Sequence, residues 1–126
     1  MALLESGEMY LETIYILSKD NKNIRAIDIG EYMGYSKPSV SRAMGLLKDS
    51  GLITVEQNGA INLTDCGYNI AKTIYERHIV LTQALTQLGV DKDIASRDAC
   101  KIEHYISENS FEAIKNHINK HINKHN

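Results

Sequence analysis

Ile27-Asp-Ile-Gly-Glu-Tyr-Met33, Gly34-Tyr35, Ser36-Lys-Pro-Ser-Val-Ser-Arg-Ala43 is the stretch that decides the fold. Ile27 to Met33 predicts a short helix and Gly34-Tyr35 a tight break. Ser36 can cap a second helix, because its hydroxyl can satisfy one of the first unpaired amides. Pro38, the one proline of the chain, falls in the first turn, where a missing N–H costs little. Ile29, Met33, Tyr35, Val40 and Ala43 take core positions, with small Gly30 and Gly34 at the contact and the turn, and the second helix ends near Gly51. Two short helices joined this way resemble a helix-turn-helix.

Outward from this pair, Leu52 to Glu56 and Ala60 to Leu63 are short runs rich in β-branched residues, joined through Asn58-Gly59, a strong two-residue hairpin signal. A hairpin here is the wing of a winged helix. Before the pair, Leu3 to Lys19 predicts a helix with Leu4, Leu11, Ile14, Tyr15 and Leu17 on one side, followed by a polar turn through Asn23. After the wing, Thr64 can cap a long helix to Leu88, stopped by Gly89, with Ile74, Leu81, Leu85 and Leu88 on one stripe. Asp93 to Ser107 predicts another helix. Asn109 with Glu112 resembles a capping box, opening a last helix striped by Phe111, Ile114, Ile118 and Ile122. There is no internal repeat or Pro/Gly-rich linker. The fold class is mainly α, and the expected division is 1–72, a winged helix-turn-helix, and 73–126, a helical domain.

At 126 residues and 43% hydrophobic, the chain can bury one compact core or two small ones, which excludes large enzyme folds. No run of eighteen apolar residues exists, and the start MALLESGEMY lacks the basic and apolar regions of a signal peptide, so no membrane association and a cytoplasmic location are expected. Cys66 and Cys100 read as free thiols, Cys66 as packing. A net charge of -2 is unusual for a protein that binds phosphate backbones. Counted locally, Ser36 to Gly51 carries Lys37, Arg42 and Lys48 against Asp49, and the acids Glu5, Glu8 and Glu12 lie on the first helix. A helix of this size fits the major groove and presents its N-terminal turn to bases or phosphates. The candidate DNA-binding set is Ser36, Lys37, Pro38, Ser39, Ser41 and Arg42.

Met9 and Glu12, three residues apart, share a face of the first helix away from its apolar stripe. Cys100, Glu103 and His104 share a face of the fifth helix, opposite Ala95, Ala99, Ile102 and Ile106. His78 falls among Ile74, Leu81 and Leu85, where a neutral imidazole needs a hydrogen bond or a metal. Taken singly, each has an ordinary structural reading as core or solvated side chain. His117, His121 and His125 recur every four residues beside Lys115, Lys120 and Lys124; a fraying surface helix explains them better than a metal-binding ridge.

Glu8-Met-Tyr-Leu-Glu-Thr-Ile-Tyr15, Ser36-Lys-Pro-Ser-Val-Ser41, Leu63-Thr-Asp-Cys-Gly67, Arg77-His78 and Ala99-Cys-Lys-Ile-Glu-His104 together resemble the diphtheria toxin repressor family of metal-dependent regulators, in the short form without an SH3-like domain. The resemblance covers nearly the whole chain. It implies a DNA-binding repressor, a homodimer on a palindromic operator controlling metal-uptake genes, with 73–126 as a metal-binding and dimerisation domain. It also implies Met9, Glu12, His78, Cys100, Glu103 and His104 as metal ligands, joining the first helix to those beyond the wing. Met9 and Cys100 resemble the iron branch, whose manganese counterpart has Asp and Glu there. Glu12 resembles the manganese branch. Thr82 and Ser96 stand where further ligands of a second site are expected. Thiolate and thioether favour softer or later ions, so Fe2+ is the expected corepressor, with Mn2+ and Zn2+ as alternatives. No organic cofactor is expected. Two rival readings stay open: a winged-helix regulator that answers an organic ligand or a partner without metal, and, remotely, a metal-dependent hydrolase using Glu103 and His104, for which no His-Glu-x-x-His, nucleophile or phosphate-loop motif is present.

Overall fold

The computed structural model describes residues 5–21 and 23–124, with 121–124 described by backbone alone. These residues fall into two compact units, Met1–Thr73 and Ile74–Asn126. The first contains α1 (Glu5–Ser18), α2 (Ala26–Met33), α3 (Lys37–Asp49), β1 (Ile53–Val55), β2 (Ile61–Leu63) and the start of α4 (Asp65–Gln87). Leu11 and Ile14 of α1 pack with Ile24, Ile29, Val40, Met44, Leu47 and Ile53 in its core. Burying each such aliphatic side chain contributes roughly 1.5–3 kcal/mol.

The helix-turn-helix forms as the sequence predicts. Gly34 adopts φ 73 and its N–H donates to the Gly30 carbonyl, a left-handed C-cap that needs no Cβ. Ser36 Oγ accepts from the Ser39 amide at 3.4 Å, and Pro38 occupies the first turn of α3. β1 and β2 pair antiparallel, with Val55 opposite Ile61. The wing tip differs from the expected two-residue turn. The Glu56 amide donates to the Ala60 carbonyl and the Gly59 amide to the Glu56 carbonyl, both at 2.9 Å, which leaves a three-residue loop, Gln57-Asn58-Gly59. Gly59, at φ 89, supplies the left-handed step that such a loop requires.

The second unit holds the rest of α4, with α5 (Lys92–Ile102) and α6 (Glu108–Lys124). Thr64 caps α4 by accepting from the Gly67 amide at 3.1 Å. Three expectations need correction here. α5 stops at Ile102 rather than Ser107, so Glu103 is its C-cap and His104 lies in the following turn. α6 is capped by Ser107, whose Oγ accepts from the Ser110 amide at 3.1 Å, rather than by Asn109. Leu88 is 81% exposed, because α4 ends beside it and the stripe stops contributing to the core. Leu3, Leu4 and His125 lie outside the described residues, as do the side chains of His121, Ile122 and Lys124. Among the described residues no helix is long and apolar enough to cross a membrane.

Candidate metal centre and DNA-reading surface

The second unit brings three of the six candidate ligands together. His78 on α4, Cys100 on α5 and Glu103 at the α5 C-cap place one donor atom each within 4.8 Å of one another. The imidazole Nδ1 of His78 lies 3.0 Å from Glu103 Oε2, and His104 Nε2 lies 3.5 Å from Glu103 Oε1. Glu103 has no solvent exposure, and its Oε1 accepts no hydrogen bond. A carboxylate in such a position requires a counter-charge. Hydrogen bonding to Cys100 first, then to Glu103, raises the His78 pKa to about 10 against the opposing effect of burial. The His78 imidazole is therefore held in its protonated form beside Glu103 at neutral pH. Imidazole, thiol and carboxylate form a donor set suited to a divalent transition metal.

The reason these groups meet differs from the sequence expectation. Glu103 follows Ala95 and Ala99 on the inward side of α5, both wholly buried, while Ile102 turns outward at 37% exposure. Glu103 thus shares the packed face with Ala95 and Ala99, while Cys100 is exposed. Met9 and Glu12 stand on α1, in the first unit. Met9 is half-buried, and Glu12 is 7% exposed inside a segment buried continuously from Tyr10 to Ile14, which corrects its placement on a face separate from the core. Thr82 gives its hydroxyl to the His78 carbonyl at 2.7 Å, so it supports the α4 backbone.

Two neighbours of the centre, Arg77 and Ser96, take roles that the sequence did not assign to them. Arg77 Nη1 donates to the carbonyls of Glu103 and Ile106, at 3.3 and 3.0 Å, and its guanidinium lies 5.5 Å from the Phe111 ring centroid. It holds the carbonyls left open where α5 ends. Ser96 Oγ lies 3.3 Å from His78 Nε2. Its spacing of four from Cys100 was the available signal, since both fall on one face of α5.

On the first unit, Ser36, Lys37, Pro38, Ser39, Ser41 and Arg42 are all exposed at the start of α3. Ser36 Oγ also donates to Ser39 Oγ at 2.9 Å, so the cap orders both hydroxyls. Val40, Met44 and Leu47 anchor the opposite face of the helix. His117 is exposed on α6, and Cys66 is exposed rather than packed.

Residues 2–61 match the model of the iron dependent repressor N-terminal DNA binding domain, and residues 64–124 that of the iron dependent repressor metal binding and dimerisation domain. The transcriptional regulator MntR of Escherichia coli O6:H1 is 33% identical over 89% of this chain and 72% of its own length. The diphtheria toxin repressor of Corynebacterium diphtheriae is 29% identical over 84% of this chain, which spans 47% of that protein. A solved manganese-dependent transcriptional repressor in complex with manganese superposes with a TM-score of 0.82 at 25% identity, covering 90% of this chain, which spans 52% of it. The chain belongs to the iron-dependent repressor family, the metal-dependent transcriptional repressors that include the diphtheria toxin repressor.

Proposed function

We propose that this repressor takes Fe2+ as corepressor, with His78, Cys100, Glu103 and His104 as donors. The observation that carries this reading is the convergence of His78, Cys100 and a wholly buried Glu103 within 4.8 Å. A thiolate in the donor set favours Fe2+ over Mn2+, which prefers carboxylate, carbonyl and water. The motif Glu8 to Tyr15 supports Met9 and Glu12 as further donors. His78 on α4 and Glu103 at the end of α5 would hold the cation, and His78 would give up its proton to do so. His78 and Glu103 each then hold one fixed geometry, and the ordered state gains free energy over the unliganded ensemble. If that state also binds DNA better, metal and DNA raise each other's affinity by the same factor.

On DNA, Ser36, Lys37, Pro38, Ser39, Ser41 and Arg42 form the contact set at the start of α3. A homodimer matches a palindromic operator, because twofold protein symmetry mirrors that of the site. The regulated genes are those of metal uptake, and the protein works in the cytoplasm. Anaerobic calorimetric titration of the metal-stripped chain with Fe2+ and with Mn2+ tests the metal assignment. Fe2+ should bind at least about tenfold more tightly, as the ligand-softness argument requires, and Glu103→Gln should lose that binding. Tighter Mn2+ binding would replace iron as the corepressor.

A further inference from the structure

Ser96 sits in a position to decide which nitrogen of His78 meets the metal. The two ring nitrogens face different partners: Nδ1 lies 3.0 Å from Glu103 Oε2, and Nε2 lies 3.3 Å from Ser96 Oγ. Ser96 projects from α5, one turn before Cys100, so one helix supplies both the hydroxyl and a donor of the site. Glu103, wholly buried, offers a carboxylate donor to the cluster, and it faces Nδ1. A cation placed between carboxylate and imidazole takes the lone pair of Nδ1. The ring then keeps its one proton on Nε2, and that N–H needs an acceptor in a half-buried site. A hydroxyl oxygen is such an acceptor, and the outer hydrogen bond of a metal-bound histidine fixes both its tautomer and its ring orientation.

We propose that Ser96 is a positioning residue of the metal centre: its hydroxyl accepts the Nε2–H of His78 and thereby commits Nδ1 to the metal. The inference rests on the reading of His78 as a ligand. It adds a residue outside the six candidate donors, with a role that touches the metal only through the imidazole. Thr82 bonds the His78 backbone carbonyl rather than its ring, whereas Ser96 meets the ring at Nε2.

The test is nitrogen-detected NMR of the full chain labelled at histidine, loaded with diamagnetic Zn2+, together with Zn2+ affinities of the wild type, Ser96→Ala and Ser96→Thr. The expected spectrum shows His78 with a metal-bound Nδ1 and a protonated Nε2. Ser96→Ala should weaken Zn2+ binding by about 10–100-fold, the usual effect of removing an outer-shell partner. Ser96→Thr, which keeps the hydroxyl, should restore most of that loss. Coordination through Nε2 in the wild type would overturn the proposal, as would unchanged affinity in Ser96→Ala. A His78 ring with no Zn2+-induced shift, in a chain that still binds the metal elsewhere, would overturn the ligand reading of His78 and this proposal with it. Because the wild-type spectrum alone discriminates between the nitrogens, the result does not depend on how well either variant folds.

Discussion

Glu103 brings a carboxylate into a position without solvent exposure, and the groups around it are the ones that can neutralise it: the His78 imidazole at 3.0 Å and His104 at 3.5 Å. In the metal-free protein the neutralising charge is a proton on His78, whose pKa is pushed up to about 10. A metal must displace that proton. Affinity should therefore rise with pH, by about tenfold per unit for one proton exchanged, until the pH passes the raised pKa. Titrations in buffers of different ionisation enthalpy should show proton release on binding; a flat pH profile would mean that His78 is not a ligand. The metal-free fold has the opposite dependence. Because the His78 pKa is raised on folding, its contribution is fully present below the ordinary imidazole value near 6.5 and is lost as pH rises through about 10. The thermal midpoint of the metal-free chain should accordingly fall from pH 6.5 to pH 10 by less in His78→Ala than in the wild type.

At the scale of elements, the entry to the wing is fixed by contact between backbones. A Cβ on Gly67, in the first turn of α4, would lie 2.0 Å from the Leu52 carbonyl oxygen just before β1. Gly67→Ala must push these segments apart, and overpacking of this kind costs about 1–3 kcal/mol or more. Chemical denaturation should show a loss of that size. The cap of α3 is a milder case: Ser36→Ala should cost about 1 kcal/mol. The helix-turn-helix and the wing were legible in the sequence because their signals are local, a Ser cap, an early Pro, and glycines where the chain turns sharply. The wing loop was misjudged by one residue, since Asn58-Gly59 fits both a two-residue turn and a longer loop closed by a left-handed glycine. The end of α5 was not legible for a different reason. Nothing between Ile102 and Ser107 breaks a helix by propensity; the turn is held by Arg77, twenty-six residues away in sequence from Glu103. For the same reason periodicity alone put Glu103 on the wrong side of α5, while Cys100 is exposed. Helical spacing showed which residues share a face, but packing decided that Glu103 and Ala99 face inward.

For the molecule as a whole, a net charge of -2 sets a limit on how DNA is held. The start of α3 offers Lys37 and Arg42 among its exposed side chains, so few phosphates are neutralised there and the salt dependence should be shallow. Arg42→Ala should reduce the slope of log affinity against log salt by about one if Arg42 meets a phosphate, and leave it unchanged if Arg42 reads a base edge. Such a shallow electrostatic grip leaves room for the metal to control affinity, which is the central claim. The most direct measurement is anaerobic fluorescence anisotropy of the metal-stripped chain on its own upstream DNA, without metal and with Fe2+, alongside Cys100→Ser. The account predicts little binding without metal, tight binding with Fe2+, and a weakened Fe2+ response in the variant. Equally tight binding with and without metal would contradict it.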